Sequence, residues 1–117
     1  METTTIEEFT VIRPGVVIGS GTVVKCAAIL GTGVKMGKNC FIGPQAMLLH
    51  KSPDGISRPA VLQDNVFIGA GAIVMPGVEI CSGVIIGAGS LVNKSISKPG
   101  TYVGRPCRRI SSKVYTP

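Results

Sequence analysis

The chain's one histidine, His50, opens a polar segment, residues 50–58, that interrupts a regular repeat. An imidazole titrates near neutral pH, so His50 could take a proton from a hydroxyl or an amine and is the candidate catalytic base. Asp54 could orient the imidazole and Arg58 could bind an anionic acceptor, which makes both candidate acceptor-site residues. Each of these residues also has an interpretation without a function, and these alternatives stay open at this point. His50 could be a solvated loop residue, Asp54 part of a turn, and Arg58 a surface arginine.

Positive charge is concentrated in the last third of the sequence. The chain has 12 Lys and Arg residues against 6 Asp and Glu residues, and no acidic residue follows Glu79. Half of the basic residues lie beyond that point: Lys94, Lys98, Arg105, Arg108, Arg109 and Lys113. Such a surface attracts anions. Because aromatic residues are few and no nucleic-acid-binding motif is present, a small phosphorylated ligand is a better prediction than nucleic acid.

A six-residue repeat must position these groups. Large aliphatic residues follow one another at intervals of six, with one interruption: Ile12, Ile18, Val24, Leu30, Met36, Ile42, Leu48, then Leu62, Ile68, Val74, Ile80, Ile86 and Val92. A small or β-branched residue stands two positions before each of them. Residues two apart in a strand face the same side, so each hexad predicts a short strand with one inward pair. A β-sandwich would instead show turn signals every ~8 to 12 residues.

Glycine often follows the aliphatic residue, at positions 19, 31, 37, 43, 69 and 87, with Asn93 in the same place. We predict that these positions adopt positive φ at sharp corners. Three hexads then close one triangular turn, and thirteen hexads give a little over four coils whose parallel strands stack into three flat sheets. The predicted fold is an all-β, parallel β-helix.

The domain organisation follows from where the repeat holds. We predict a single domain over residues 1–117, with an N-terminal cap at 1–9, the β-helix at 10–97 and a C-terminal cap at 98–117 that folds back over the last coil. From Leu48 to Leu62 the spacing exceeds two hexads by two residues, so a loop near 49–61 should protrude from the prism.

Composition disfavours several classes of protein. No window approaches the ~20 apolar residues of a membrane span, and the acidic N-terminus lacks the basic and apolar regions of a secretory signal. The four cysteines form no C-x-x-C pair, so neither a zinc cage nor a disulfide framework is indicated. We therefore expect a cytoplasmic protein without a metal, a membrane span or a nucleic-acid partner.

Several segments resemble the hexapeptide-repeat acyltransferases, and among them the galactoside and maltose acetyltransferase branch. The resemblance is carried by residues 64–72 (DNVFIGAGA), 76–78 (PGV), 86–90 (IGAGS) and 102–108 (YVGRPCR), and it extends from about Ile12 to Ile110. It implies a left-handed β-helix and a homotrimer. It also implies acetyl-coenzyme A as co-substrate, bound between adjacent prisms with its thioester near the loop histidine, whose place His50 takes.

The resemblance also implies the residues that bind the coenzyme. Ala88 stands where the family offers a backbone group to the pantetheine arm, Asn93 and Lys94 where the adenosine end is held, and Arg108 where an arginine contacts phosphate. Three further cofactor-binding residues come from the segment around Ile68. Phe67 stands where the family often has Trp, Gly69 follows Ile68, and Ala70 stands where Ser is frequent.

The function implied is transfer of an acetyl group to a hydroxyl or amine of a small acceptor, such as a sugar, a nucleotide sugar or a xenobiotic. The main alternative is a non-catalytic trimeric scaffold or binding protein. Two other uses of a β-helix are disfavoured. One histidine per chain is too few for the zinc site of a γ-class carbonic anhydrase, and the threonines form no ladder of the ice-binding type.

Overall fold

The computed structural model describes residues 3–117, which form a triangular prism of stacked parallel strands with about five turns. The first wall of the prism, wall A, contains seven strands in the spatial order β1 (Thr5–Ile6), β4 (Val23–Val24), β7 (Phe41–Ile42), β10 (Phe67–Ile68), β13 (Val84–Ile86), β15 (Gly100–Gly104) and β16 (Cys107–Ser111). Pairing is parallel from β1 to β15, and β16 adds antiparallel to β15.

The other two walls are built from the remaining strands. Wall B contains β2 (Val11–Ile12), β5 (Ile29–Leu30), β8 (Met47–Leu48), β11 (Ile73–Val74) and β14 (Leu91–Val92). Wall C contains β3 (Val17–Ile18), β6 (Lys35–Met36), β9 (Val61–Leu62) and β12 (Glu79–Ile80), and a bridge from Ile80 to Ile96 continues it. The predicted all-β, left-handed parallel β-helix is confirmed.

The core is the axis that the repeat predicts. From Val24 onward, every aliphatic residue of the repeat and every small residue two positions before it is buried. Thr22 and Ser90 occupy small positions in this core, and their hydroxyls bond to neighbouring backbone, Thr22 to the Gly37 carbonyl oxygen at 2.9 Å and Ser90 to the Gly104 amide at 3.1 Å. Burial of these hydroxyls is therefore compensated by hydrogen bonds.

The prediction for the corner glycines was wrong about their conformation. Positive φ falls three positions before the aliphatic residue, as at Gly71 (φ 68°) and Asn65 (φ 57°), and not at the glycine that follows it. The following glycine is required for a different reason, because the coils approach closely there: a Cβ on Gly69 would lie 2.6 Å from the Ala88 nitrogen, and one on Gly43 would lie 2.6 Å from the Ala70 nitrogen.

The coils extend beyond both ends of the predicted repeat. Thr5–Ile6 pairs in parallel with Val23–Val24, so the segment predicted as an N-terminal cap already forms the first strand of wall A. At the other end Tyr102 pairs with Ile86 and adds a further rung, after which Cys107–Ser111 turns back along it. The prism therefore has about five turns rather than a little over four.

Candidate functional site

The loop that carries His50 leaves the prism between β8 and β9, as predicted. It is a short hairpin, with Lys51 bridged to Ser57, and its base is closed by two backbone hydrogen bonds. The Ala60 amide donates to the Leu49 carbonyl oxygen at 3.0 Å, and the Arg58 amide donates to the His50 carbonyl oxygen at 2.6 Å. His50 thus has a fixed backbone at the point where the hairpin meets the edge between walls B and C.

The imidazole of His50 is half-buried and rests on the coil below. A Cβ placed on Gly31 would lie 2.7 Å from His50 Nδ1 and 3.0 Å from the Leu48 carbonyl oxygen. Gly31 is buried, and its φ is not positive, so the close approach of the imidazole and of this backbone explains why glycine is needed there. Within residues 3–117 the ring has no hydrogen-bond partner, which leaves its nitrogens free to bond to a bound molecule.

The structure brings Asp54 and Arg58 together at the hairpin tip, and neither side chain forms a hydrogen bond to the imidazole. One Asp54 oxygen accepts from the Ile56 amide at 2.9 Å, and both oxygens lie 3.1 Å from Arg58 Nη1. The Ile56 hydrogen bond, with the Arg58 guanidinium beside it, lowers the pKa of the Asp54 carboxyl below its usual value. Asp54 therefore holds the hairpin tip and has no hydrogen bond to His50, so an orienting role is not supported.

Five of the residues predicted to bind the coenzyme lie on the two edges of wall B. Gly69, Ala70 and Ala88 stack at the edge between walls A and B, where the Gly89 amide donates to the Ala70 carbonyl oxygen at 2.8 Å. Asn93 and Lys94 follow β14 at the edge between walls B and C, the same edge as His50. Ala70, Ala88, Asn93 and Lys94 are all exposed. A single chain therefore does not bring the two groups together.

Between these edges, the outer face of wall B is an uncharged apolar row. The outward residues of its five strands are Val11, Ile29, Met47, Ile73 and Leu91, and they lie in register one above another. Wall C differs, because Lys35 and Glu79 interrupt its outer row. On wall B, Val11 and Ile29 are exposed, and Met47, Ile73 and Leu91 are partly exposed. A contiguous apolar surface of this kind is typical of a protein–protein contact.

Phe67 lies on the outer face of wall A. Its ring stacks on Phe41, with centroids 4.7 Å apart and planes 4° from parallel, and Tyr115 packs against it with a centroid distance of 5.3 Å. Together with Ile85 and residues 113–116, Phe67 lines a cavity of about 240 Å³. Sequence reasoning missed Phe41 and Tyr115, although Phe41 could have been found because it occupies the same position of the repeat as Phe67.

The predicted basic surface divides into structural and free cations. Arg108 lies exposed on β16, and Lys94 lies exposed after β14; neither forms an ion pair within residues 3–117. Arg109 is different, because its Nε and Nη2 donate to the Pro99 carbonyl oxygen at 3.2 and 3.0 Å and its guanidinium covers Gly100. Arg109 therefore stabilises the C-terminal hairpin, whereas Lys94 and Arg108, the two cations predicted to bind the coenzyme, form no ion pair within residues 3–117.

A larger cavity, of about 380 Å³, lies on wall C and contains none of the predicted residues. Its lining consists of Gln63, Glu79, Cys81, Ser95, Ile96 and Ser97. Across residues 3–117, no three metal-ligating side chains converge. The same part of the chain has no helix with the length and hydropathy that crossing a membrane requires.

Residues 59–94 match the family model described as bacterial transferase hexapeptide (six repeats). The serine acetyltransferase of Buchnera aphidicola subsp. Acyrthosiphon pisum is 35% identical over 92% of this chain and 42% of its own length. The galactoside O-acetyltransferase of Lactococcus lactis is 34% identical over 65% of this chain and 42% of its own length. The chain thus spans less than half the length of these curated relatives.

Among solved structures, an N-acyltransferase from Bacillus cereus, AntD, in complex with dTDP-4-amino-4,6-dideoxyglucose and coenzyme A, superposes with a TM-score of 0.82. It is 27% identical, and the match covers 95% of this chain and 70% of that one. The match to the family model, the two relatives and the observed prism agree with the motifs between Asp64 and Arg108. Residues 59–94 belong to the hexapeptide-repeat family of bacterial transferases.

Proposed function

We propose that this chain is a coenzyme A-dependent acetyltransferase that moves the acetyl group of acetyl-coenzyme A to a hydroxyl or amine of a small acceptor. The observation that carries the proposal is the placement of His50. A half-buried imidazole, fixed at the base of a closed hairpin and resting on Gly31, borders an apolar wall suited to a neighbouring subunit.

In the proposed reaction, His50 takes the proton from the acceptor hydroxyl or amine while the acceptor oxygen or nitrogen attacks the thioester carbonyl carbon. The tetrahedral intermediate carries its negative charge on the former carbonyl oxygen, and a backbone N–H stabilises it. The C–S bond then breaks, and the proton on His50 passes to the leaving thiolate. The acetyl group is transferred directly, so neither a covalent enzyme intermediate nor a metal is needed.

The coenzyme would lie along the edge between walls A and B. Glycines and alanines leave the backbone accessible there, and the exposed Ala70 and Ala88 let a pantetheine arm approach closely. Phe67 and Gly69 of the same chain complete the proposed contacts, and Asn93 would reach the coenzyme from the adjoining edge of a neighbouring subunit. Lys94 and Arg108 would bind the phosphates, because both are exposed, neither forms an ion pair within residues 3–117, and a coenzyme A molecule carries several negative charges.

The proposed assembly is a homotrimer in which wall B packs against a neighbouring subunit. The uncharged row on wall B would be buried, and the edge of one subunit that carries Ala88 would approach the edge of another that carries His50. This arrangement would unite the two groups of predicted residues, which lie on opposite edges of the same chain. The four free cysteines fit a reducing compartment, which supports a cytoplasmic location.

The proposed acceptor is a small molecule that bears a hydroxyl or an amino group. AntD is described with an amino sugar nucleotide, and the curated relatives are named for serine and galactoside acetylation. Asp54 and Arg58 form the hairpin tip beside His50 and are the proposed acceptor contacts. Because their charges neutralise one another, an uncharged or zwitterionic acceptor suits this tip better than a strongly charged one.

The test is an acceptor screen with acetyl-coenzyme A, in which release of the free thiol is followed for the wild-type chain and for His50→Ala. We expect at least one hydroxyl or amine acceptor to be turned over. His50→Ala should lower that turnover by about 100-fold or more while leaving coenzyme A binding unchanged. Turnover that survives the substitution would remove His50 from the mechanism.

A non-catalytic trimeric scaffold or binding protein is the second candidate. It is favoured by the absence of an orienting hydrogen bond to His50 within residues 3–117. Titration calorimetry separates the two functions. A scaffold would show no heat of coenzyme A binding, whereas the acetyltransferase requires it.

A further inference from the structure

The N-terminal end of the prism is an uncovered apolar surface. In the first coil the inward residues Ile6 and Ile12 are 45% and 42% exposed, although their counterparts in later coils are buried. The opposite end differs, since Val92 is fully buried and Ile96 is 8% exposed. We define the N-terminal end face as Ile6, Phe9 and Ile12, all of which are exposed.

Unpaired backbone accompanies this apolar surface. The strands β1, β2 and β3 are each the last strand at one end of their wall, so each presents a free edge on the same end of the prism. Free strand edges pair readily with other strands. Within residues 3–117 no segment covers these three edges.

Phe9 adds a strained and exposed aromatic ring to this face. Its φ is 62°, a conformation that costs a non-glycine residue about 1–2 kcal/mol, and its side chain is 85% exposed. Later coils place smaller or polar residues with positive φ at this position of the repeat, namely Gly33, Asn39, Ala27 and Gln45, and none of these is aromatic. A bulky ring held in water on a strained backbone is explained if a partner buries it.

The charges at the rim of this face complement one another. Glu7 is already paired, with Lys25 Nζ 2.6 Å from its Oε2, and this hydrogen bond lowers the pKa of the Glu7 carboxyl. Glu8 and Arg13 are exposed and form no ion pair within residues 3–117. Glu8 lies at the edge between walls A and B, and Arg13 at the edge between walls B and C.

We propose that the N-terminal end face is the docking surface for a second copy of this chain, bound head to head about a two-fold axis. The two-fold axis passes through the middle of wall B and is perpendicular to the long axis of the prism. It sets β2 of one copy antiparallel to β2 of the other, and wall A of each copy lies against the end of wall C of the other. The same rotation places the edge that carries Glu8 over the edge that carries Arg13. Each Glu8 then meets the partner's Arg13, twice in one isologous contact.

This docking does not depend on catalysis. It uses the end of the prism, whereas the proposed trimer uses wall B, so the two contacts can coexist and would give an assembly with twice the trimer's number of chains. The apolar residues of the end face supply the buried area, and the Glu8–Arg13 pairs fix the register.

The experiment is native mass measurement of the full chain and of two single variants, Glu8→Arg and Arg13→Glu. Each variant sets like charges opposite one another, so we expect head-to-head association to weaken by more than about tenfold and the native mass to halve. An equimolar mixture of the two variants should regain the wild-type mass, because every contact between unlike copies is then complementary. Circular dichroism checks that each variant is folded.

A second variant tests the apolar part of the face. Phe9→Gly removes the ring and takes positive φ without strain, so the chain should stay folded while its native mass halves. The proposal is overturned if the wild-type mass already equals that of the single variants. It is also overturned if the variants lose the wild-type mass and an equimolar mixture of Glu8→Arg and Arg13→Glu does not restore it.

Discussion

At the scale of single residues, the structure separates side chains that hold the fold from those that are free to act. Arg109 and Asp54 carry charges in the region predicted to bind ligands, yet their hydrogen bonds go to Pro99 and to Ile56 with Arg58. His50 and Lys94 have no such partner within residues 3–117. The repeat could not predict this distinction, because it depends on the contacts of individual side-chain tips.

Gly31 is expected to act as a positioning residue for His50. In Gly31→Ala the new methyl group would overlap His50 Nδ1, so the imidazole should be displaced from the edge of wall B. We expect acetyl transfer to fall by about 10-fold or more, mainly in kcat, because a displaced base loses its geometry with the acceptor. Modification of the single histidine by diethylpyrocarbonate should become faster as the ring moves into solvent.

Alanine at Thr32 is the control for this experiment, since Thr32 lies beside Gly31 and forms no side-chain hydrogen bond to the imidazole. It should leave both the turnover and the modification rate near the wild-type values. If Gly31→Ala keeps the wild-type modification rate and turnover, Gly31 has no part in placing the imidazole.

Lys94 and Arg108 are expected to contribute to coenzyme A affinity through charge. Replacing either by Glu should weaken binding by about 10-fold at low salt, and the difference from wild type should shrink as salt screens the phosphates. Lys35→Glu is the matched control, because Lys35 is an exposed lysine on wall C. Calorimetry at two ionic strengths measures the affinity for coenzyme A. Equal losses of affinity in the Lys94, Arg108 and Lys35 variants would contradict a local phosphate site.

At the scale of strands and corners, much of the architecture was predictable. The spacing of six identified the inward residues, the position of the extruded loop and the parallel stacking, because side-chain direction in a strand is fixed by its period. The conformation of the corners was not predictable in the same way. Glycine serves both positive φ and close approach, and the sequence alone does not say which of the two applies at a given position.

The two uses of glycine can be separated within one corner. Gly71 has φ of 68°, and no heavy atom lies within 4 Å of the place that a Cβ would take, so Gly71→Asn should change the free energy of unfolding by less than about 1 kcal/mol. Gly69→Ala should cost about 1–3 kcal/mol, because its methyl group meets the backbone of Ala88 in the next coil.

Urea denaturation followed by circular dichroism measures both corner variants. Asn65, which has φ of 57° at the same position of the repeat, is the natural precedent for asparagine at position 71. Equal destabilisation by the two substitutions would contradict the assignment of close approach to Gly69 and of positive φ to Gly71.

At the scale of the whole molecule, the prism separates its surfaces by direction. Wall B is apolar outside, wall C carries charges and the cavity lined by Cys81, and wall A is partly covered by Tyr115 of the C-terminal segment. The ends differ as well, since the first coil exposes Ile12 and the last one buries Val92. The sequence pattern of inward residues is nearly the same in every coil, so only the stacking order reveals which side chains remain uncovered.

Wall B is expected to be the trimer contact and therefore to be needed for turnover. Ile73 is the outward residue of the strand between β8 and β14, so Ile73→Lys would bury a charge in the proposed contact without altering the prism axis. We expect the trimer to dissociate and acetyl transfer to fall together, because the two groups of site residues lie on opposite edges of one chain. Val61→Lys makes the same change on wall C and should affect neither property. For both variants, sedimentation velocity measures the assembly and thiol release measures acetyl transfer. A stable, active Ile73→Lys trimer would place the subunit contact on another wall.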